Sequence, residues 1–491
     1  MLRDRILVGA LLLLGPIALC TLSVSASAEE AAALTPREKA LIEKVNELEK
    51  RVEEMERRLS VSTQQPESAA QLDERLTKVE QTVEDRDEKG ANDFRAFWKD
   101  GLRLETEDKR FKLRLGGRIH TDFAFFDQDG ELKYAVGDED DGVEFRRARI
   151  NLQGEIYENV VFRTEYDFAG NTGEGKFKDV YLGLKGLPAV GNVLVGHFRE
   201  PFGLERCTGV NYHTFMELGL PNVFAPNRNL GIMVHNTALD QRLRWAIGAF
   251  KDVDDFPSDD DSDEDQGYAV TARVTGLPWY EQDGRRLLHL GLAYSHRNPD
   301  GESPRGAIRG WRTRPESHLA NRYLDTDSGL LNGYRVVNAR LDDVDLWGAE
   351  AALVYGPLCV QGEYMTALTD TDFAGHMDFD GYYIQAGYFL TGEHRPYKTT
   401  DAAFTRVHPK RDFSLGEERG WGAWELALRY SSLDLNDGII RGGQEDNFAL
   451  GLNWYLNANT RLMLNYIYAD IEGCLYEGDL DILQGRFQVD F

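Results

Sequence analysis

Cysteine is scarce. Four occur in 491 residues, and Cys20 falls in the first 28. Cys207, Cys359 and Cys474 are odd in number and far apart, so neither a disulfide framework nor a CxxC metal or redox site is expected. Long apolar runs are missing too. After residue 28 none approaches the roughly 20 residues that a spanning helix needs. That absence leaves the membrane open, because a barrel strand needs only about 9–11 residues, half of them apolar. Positive charge is in deficit: 56 Lys+Arg against 83 Asp+Glu give a formal net charge of −27. A nucleic-acid partner is therefore disfavoured. No HExxH, nucleophile elbow or P-loop is found, so no enzyme, cofactor or metal centre is expected.

What is present starts with a leader. Arg3 and Arg5 precede the apolar stretch Ile6 to Leu19, and Ala26-Ser27-Ala28 is a small-x-small cleavage site. Residues 1–28 read as a secretory signal. Leu19 is too large for the usual lipid-attachment site at Cys20. In residues 29–88, Leu41, Val45, Leu48, Val52, Met55 and Leu59 step by 4, 3, 4, 3, 4. This is a heptad seam, interrupted at Gln64-Gln65-Pro66 and resumed by Leu72, Leu76, Val79 and Val83. So narrow an apolar stripe implies a self-associating periplasmic coiled coil. Its Val/Leu alternation favours two strands, and a single amphipathic helix is the alternative. Residues 89–110 read as a linker.

From Phe111 the period changes from 3.5 to 2. Leu113, Leu115, Ile119, Phe123 and Phe125 alternate with Lys112, Arg114, Arg118, His120 and Asp122. About sixteen such segments follow one another to the final residue, Phe491. Connections of one parity are long and those of the other short, as in outer-membrane barrels. The exception is the long inside turn 391–418. Residues 111–491 are thus expected to be an all-β, about 16-stranded antiparallel transmembrane β-barrel of the porin kind, behind an N-terminal α-helical coiled coil. Aromatic content of 11%, with 21 Tyr and 8 Trp, suits girdles at the two membrane faces.

Alternation sorts the two barrel faces. Arg147, Arg149, Asn151, Gln153, Glu155, Arg163, Glu165, Asp167, Arg297, Arg429, Arg461 and Arg486 are expected inward, and Arg146 toward lipid. Segment 200–227 is the third outside connection. It carries a short helical piece, Tyr212 to Leu220, and is expected to fold into the lumen, since Phe215, Met216 and Phe224 would otherwise face water. Loop 298–342 is rich in Arg, whose planar fork holds two oxygens of an oxyanion and never deprotonates. The same loop could instead meet lipopolysaccharide phosphates. Turn 391–418 holds His394, Arg395, Lys398, Arg406, His408, Lys410 and Arg411, positive charge at the periplasmic exit. Loop 251–266 has nine acids between Asp252 and Asp265 without EF-hand spacing.

Eight short pieces occur in one order: Gly117-Arg118-Ile119, Phe145-Arg146-Arg147-Ala148-Arg149, Tyr166-Asp167-Phe168-Ala169-Gly170, Arg199-Glu200-Pro201-Phe202-Gly203-Leu204-Glu205, Phe224-Ala225-Pro226, Arg312-Thr313-Arg314-Pro315-Glu316, Thr391-Gly392-Glu393-His394-Arg395-Pro396-Tyr397-Lys398 and Gly422-Ala423-Trp424-Glu425-Leu426. With them, residues 111–491 resemble the phosphate-selective porin O/P family of trimeric sixteen-stranded outer-membrane channels. The resemblance implies an arginine ladder, an infolded loop at the constriction, and basic residues at the exit. Arg305, Arg309, Arg312 and Arg314 match the ladder region. Arg118, Arg146 and Arg147 match basic residues near the constriction, and Arg114 sits where the phosphate channel has Lys. Arg395, Lys398 and Lys410 match the exit cluster, which is thin in Lys here. The infolded loop reads Phe215-Met216-Glu217-Leu218, with Leu where many relatives have Arg. Implied is a homotrimer in the outer membrane, among lipid and lipopolysaccharide, giving diffusive uptake of phosphate or polyphosphate; a cell-wall contact through the coiled coil belongs to the tether alternative. A weakly selective general porin and an envelope tether are the alternative readings.

Overall fold

The structure, a computed structural model, describes Lys50 and residues 94–491 except 170–174, 252–266, 299–310, 327–329, 332–333, 336–340, 372–374, 417–418, 439 and 474–475. The leader, the heptad segment apart from Lys50, and the acidic run 252–266 lie outside the described residues.

Each of the sixteen alternating segments is a strand: β1 Phe111–Gln128, β2 Gly142–Ile156, β3 Val160–Asp167, β4 Lys176–Leu187, β5 Gly191–Arg199, β6 Arg228–Ala238, β7 Leu243–Lys251, β8 Tyr268–Glu281, β9 Arg286–Asn298, β10 Leu341–Tyr355, β11 Leu358–Thr371, β12 Gly375–Phe389, β13 Ala423–Asp437, β14 Ile440–Asn457, β15 Thr460–Glu472 and β16 Glu477–Asp490. Every strand pairs antiparallel with its neighbours in sequence, and β16 returns to β1, from Leu480↔Gln128 to Asp490↔Arg118. The sheet is thus a closed barrel, which leaves no edge for lipid to meet. Outward positions stay apolar and exposed, among them Ile150, Tyr466 and Phe487. Inward positions are buried.

Closure brings the last residue onto a glycine pair. The Phe491 amide donates to the Gly117 carbonyl at 3.0 Å, and the Gly117 amide to the Phe491 carbonyl at 2.7 Å. A Cβ on Gly117 would stand 2.6 Å from the Phe491 ring and 2.7 Å from the Arg149 carbonyl. Gly117→Val is therefore expected to destabilise the closing seam by about 1–3 kcal/mol. The check is the folded share that survives graded heating on a semi-native SDS gel.

Two features depart from the expected layout. The presumed linker holds a hairpin, Phe94–Trp98 with Leu102–Thr106. Its second strand pairs with β1 from Leu102↔Leu115 to Glu105↔Lys112, below the place where β16 ends. In addition, the barrel interior is not uniformly polar. Inward-facing Leu433, Leu435, Ile467, Ile471, Leu480 and Ile482 are buried against Phe215, Phe224 and Trp311 from the infolding loops. The Trp311 ring sits 5.5 Å from that of Phe224 and 5.4 Å from that of Phe379. These contacts hold the loops against β11–β16, while a second apolar cluster of Phe198, Met233, Ala246, Phe250 and Ala269 lies on β5–β8.

Candidate functional site in the lumen

Segment 200–227 enters the barrel, but not as a helix over Tyr212 to Leu220. Its helical turns are Leu204–Cys207, Val210–Tyr212 and Leu220–Val223. Residues 213–219 are irregular because wall side chains take their backbone groups. Asn465 Oδ1 accepts from the Met216 amide at 3.0 Å, Asn453 Nδ2 donates to the Thr214 carbonyl at 2.8 Å, and Arg461 donates to that of His213 at 2.7 Å. Arg486 donates to the Met216 carbonyl at 2.6 Å and Arg429 to that of Glu217 at 3.1 Å. A helix would satisfy such groups internally; here the wall does it instead. Within the loop, the Glu205 carboxylate accepts from the Gly219 amide at 3.0 Å and from Asn222 Nδ2 at 2.9 Å. Glu363 on β11 accepts from the Leu204 and Glu205 amides.

At the loop's inner tip, Glu217 meets three guanidiniums. Arg146 donates to both carboxylate oxygens, at 2.9 and 3.0 Å, Arg486 donates to one at 2.8 Å, and Arg147 Nη1 stands 3.9 Å away. Arg486 also bonds both oxygens of Asp122, at 2.6 and 2.7 Å. Arg146 was expected on the lipid face by strict alternation, and it is not there. The register jumps from His120↔Arg147 to Thr121↔Phe145, so Arg146 is the extra residue of a β-bulge. The bulge resets the phase: Val143 and Phe145 face outward at 74% and 67% exposure, and Arg146 and Arg147 both face the lumen. Three guanidiniums against Glu217 and Asp122 leave one net positive charge.

A second cluster lies on β1–β6. Glu165 accepts from Arg118 at 2.7 Å, from Arg149 at 3.0 Å and from Arg163 at 2.9 Å. Asp167 holds Arg149 at 2.6 Å, and Asp179 holds Arg228 at 2.6 Å and Arg163 at 3.2 Å. Four guanidiniums against three carboxylates again leave one positive charge. Among the described residues Arg199 has no carboxylate within 4 Å; its Nη1 donates to the Arg206 and Thr208 carbonyls at 2.6 and 3.1 Å. Among the described residues, Nε of Arg118, Arg147 and Arg199 is buried without a hydrogen-bond partner. Arg114, Arg118, Arg163, Arg199 and Arg228 line a cavity of about 690 Å³ against the loop, together with Lys398, Arg406 and the carboxylates Asp100, Asp179, Asp401 and Asp490. A desolvated, preorganised set of donors is the arrangement that binds an oxyanion.

Of the other expected residues, Arg114 and Lys398 reach this cavity. Arg114 lies at the periplasmic end and donates from Nε to the Asp100 carbonyl at 2.7 Å. Arg312 starts a short strand, Arg312–Thr313, paired with Leu324–Asp325, and Arg314 donates to the His318 and Ala320 carbonyls. Both belong to a loop that also enters the barrel, where Glu316 pairs with Arg429 and accepts from Ser431. Arg305 and Arg309 lie outside the described residues. Turn residue Arg395 is buried: it donates to the Tyr212 carbonyl, lies 3.6 Å from Glu425 and stands over the Phe404 ring. Lys398 is paired with Asp401 at 2.8 Å. Burial and the neighbouring Arg285 push the His394 imidazole below its ordinary range. Exposed Lys410 donates to the Thr391 carbonyl at 3.1 Å. The inside turn thus plugs part of the barrel and presents less charge at the exit than its composition implied.

Sequence reasoning did not single out Glu217, Arg199 or Arg228. Arg199 and Arg228 flank the infolding loop at the ends of β5 and β6, a position that could have flagged them. Nothing local marks Glu217, whose partners lie 71 and 269 positions away.

Comparison with known proteins points to one group. The profile described as phosphate-selective porin O and P matches residues 113–491. Porin O of Pseudomonas aeruginosa is 31% identical over 397 residues, 76% of this chain and 86% of its own. An uncharacterized protein of Caulobacter vibrioides is 28% identical over 409 residues, 80% of this chain and 76% of its own. Among solved structures, an anion-selective porin from Comamonas acidovorans aligns with a TM-score of 0.47 at 14% identity, over 78% of this chain and 100% of its own.

Proposed function

The chain belongs to the phosphate-selective porin O and P family, and from that premise we propose that it is an outer-membrane channel giving diffusive uptake of phosphate or polyphosphate through an arginine-lined constriction. The observation that carries the reading is the charge balance at the narrow point. Each of the two lumen clusters is net positive by its own ion pairs, although the whole chain is −27, while Arg429 beside them faces Glu205 and Glu316. Acids in outside loops count for little there, since about 8 Å of screening at physiological salt separates them from an ion in the passage. The sites proposed for the anion are Arg118, Arg146 and Arg147 at the constriction. Arg114 lies on the way out, Arg312 and Arg314 (with Arg305 and Arg309) on the way in, and Arg395, Lys398 and Lys410 near the exit turn. A homotrimer, with the heptad segment as a periplasmic coiled coil, is the assembly proposed.

The pairing of most of these arginines with carboxylates favours a second reading, a weakly selective porin whose lumen charges cancel. Reversal potential across a salt gradient in a planar bilayer separates the two: anion preference supports the first, and cation preference overturns it. Glu217 supplies a sharper arm. Its carboxylate occupies the place among Arg146, Arg147 and Arg486 that a permeating oxyanion would take. Glu217→Gln keeps the shape and removes the charge, so phosphate block of chloride current is expected to tighten about tenfold, about 1.4 kcal/mol. Unchanged block would place the anion elsewhere.

A further inference from the structure

We propose that the hairpin Phe94–Trp98/Leu102–Thr106 is a membrane-surface anchor that lays its apolar face on the phospholipid of the periplasmic leaflet. The proposal rests on the outer-membrane reading of the barrel and goes beyond it, since closure of the barrel needs no hairpin.

Register carries the argument. Residues directly opposite in an antiparallel pair put their side chains on the same face. Trp98 pairs with Leu102, Leu102 with Leu115, and Leu115 with Leu152. One step along, Ala96 pairs with Leu104, Leu104 with Leu113, and Leu113 with Gly154. That row then runs through Phe162, Leu182, Val195 and Ile232. Leu182, Val195 and Ile232 belong to the exposed apolar surface of the barrel. The hairpin therefore continues the lipid-facing surface without a change of phase. On this face of the hairpin Trp98 is 63% exposed and Phe94 56%.

Depth follows from the backbone. Among the described residues, Phe94–Trp98 has no strand neighbour besides Leu102–Thr106. An open edge in hydrocarbon leaves each N–H and C=O unsatisfied at several kcal/mol apiece, so the hairpin cannot lie deep. The level that accepts both an apolar face and a wet edge is the headgroup region, where Trp is enriched. Residues 94–110 carry five basic side chains against the four acids Asp100, Glu105, Glu107 and Asp108, so the hairpin meets the headgroups with little net charge. The hairpin is also held in place. Gly101, at φ +122, packs its turn against the Leu115 carbonyl and Phe491, where a Cβ would stand 2.8 Å from that carbonyl. Arg114 binds the Asp100 carbonyl, and the Asp100 carboxylate lies 3.4 Å from Arg406.

The test uses the full-length chain reconstituted in phosphatidylethanolamine/phosphatidylglycerol vesicles. Phospholipids brominated either high on the acyl chain or near its end serve as quenchers. The emission difference between the native chain and Trp98→Phe isolates Trp98. Its share is expected to be quenched about twofold more by the shallow bromines than by the deep ones. A share open to aqueous acrylamide but untouched by either bromolipid would overturn the proposal, as the hairpin would stand in water. A share shielded from all three would overturn it in favour of a second copy of the chain. Quenching of the remaining tryptophans reports barrel insertion separately, so failure of the outer-membrane reading is distinguishable. If Trp98→Phe fails to insert, Leu102→Cys carrying a spin label gives the same depth reading from relaxation by oxygen against a water-soluble nickel chelate.

Discussion

Replacing Arg146 and Arg147 together with alanine is expected to turn the channel from anion-preferring to cation-preferring. The cluster around Glu217 holds three guanidiniums and two carboxylates. Without Arg146 and Arg147 the balance passes from one positive to one negative charge. At a contact of about 4 Å and an effective dielectric of 20, a unit charge acts on an ion with about 4 kcal/mol. Even a third of that moves the permeability ratio about tenfold. The reversal potential in a salt gradient should therefore change sign, and phosphate block of chloride current should weaken. Arg118→Ala should act in the same direction but less, because Glu165 keeps Arg149 and Arg163. Removing the acidic run Asp259 to Asp265 should leave the ratio nearly unchanged. An untouched reversal potential in the double variant would hand the channel to the general-porin reading.

The second large effect is expected at Arg486. This side chain is 2% exposed and ties β16 to Asp122, to the Glu217 carboxylate and to the Met216 carbonyl. Arg486→Gln strands a buried carboxylate at Asp122 and frees the tip of the infolded loop. Breaking a buried pair in this way costs about 3–5 kcal/mol. Thermal unfolding in detergent should shift downward accordingly, and single-channel traces should become noisier and larger. Adding Asp122→Asn removes the stranded charge and should recover most of the stability but not the quiet trace, since the loop still lacks its anchor. If the double variant stays as unstable as the single one, the loss lies in packing and not in charge.

How much of this was legible beforehand depends on the range over which each feature is decided. Strand positions follow from alternation inside ten or so residues, so all sixteen segments could be read directly. The inward face of Arg147, Arg149 and Arg486 could be read the same way. Arg146 could not, because the bulge that turns it inward is set by pairing with His120 and Thr121 on another strand. Tyr212 to Leu220 looked helical by its own composition, but Asn453, Asn465, Arg461 and Arg486 take its backbone groups from over 200 positions away. Arg395 looked like a free exit charge for a similar reason: the Tyr212 carbonyl that it binds lies 183 positions back. Composition along a turn does not reveal which of its charges will be enclosed.

The seam between β16 and β1 has a bearing on how the chain is made. Asp490 must find Arg118, 372 positions back (490 − 118). Such contacts form late, because the entropy of a long loop is lost before the contact repays it. By then segment 200–227 must already lie inside, with its turns against Glu363, Asn453 and Asn465. The turn around Arg395 must also have reached Tyr212. A ring that zips shut before these segments are stowed has no easy way to admit them. Assembly is therefore ordered like the packing of a case: contents first, clasp last.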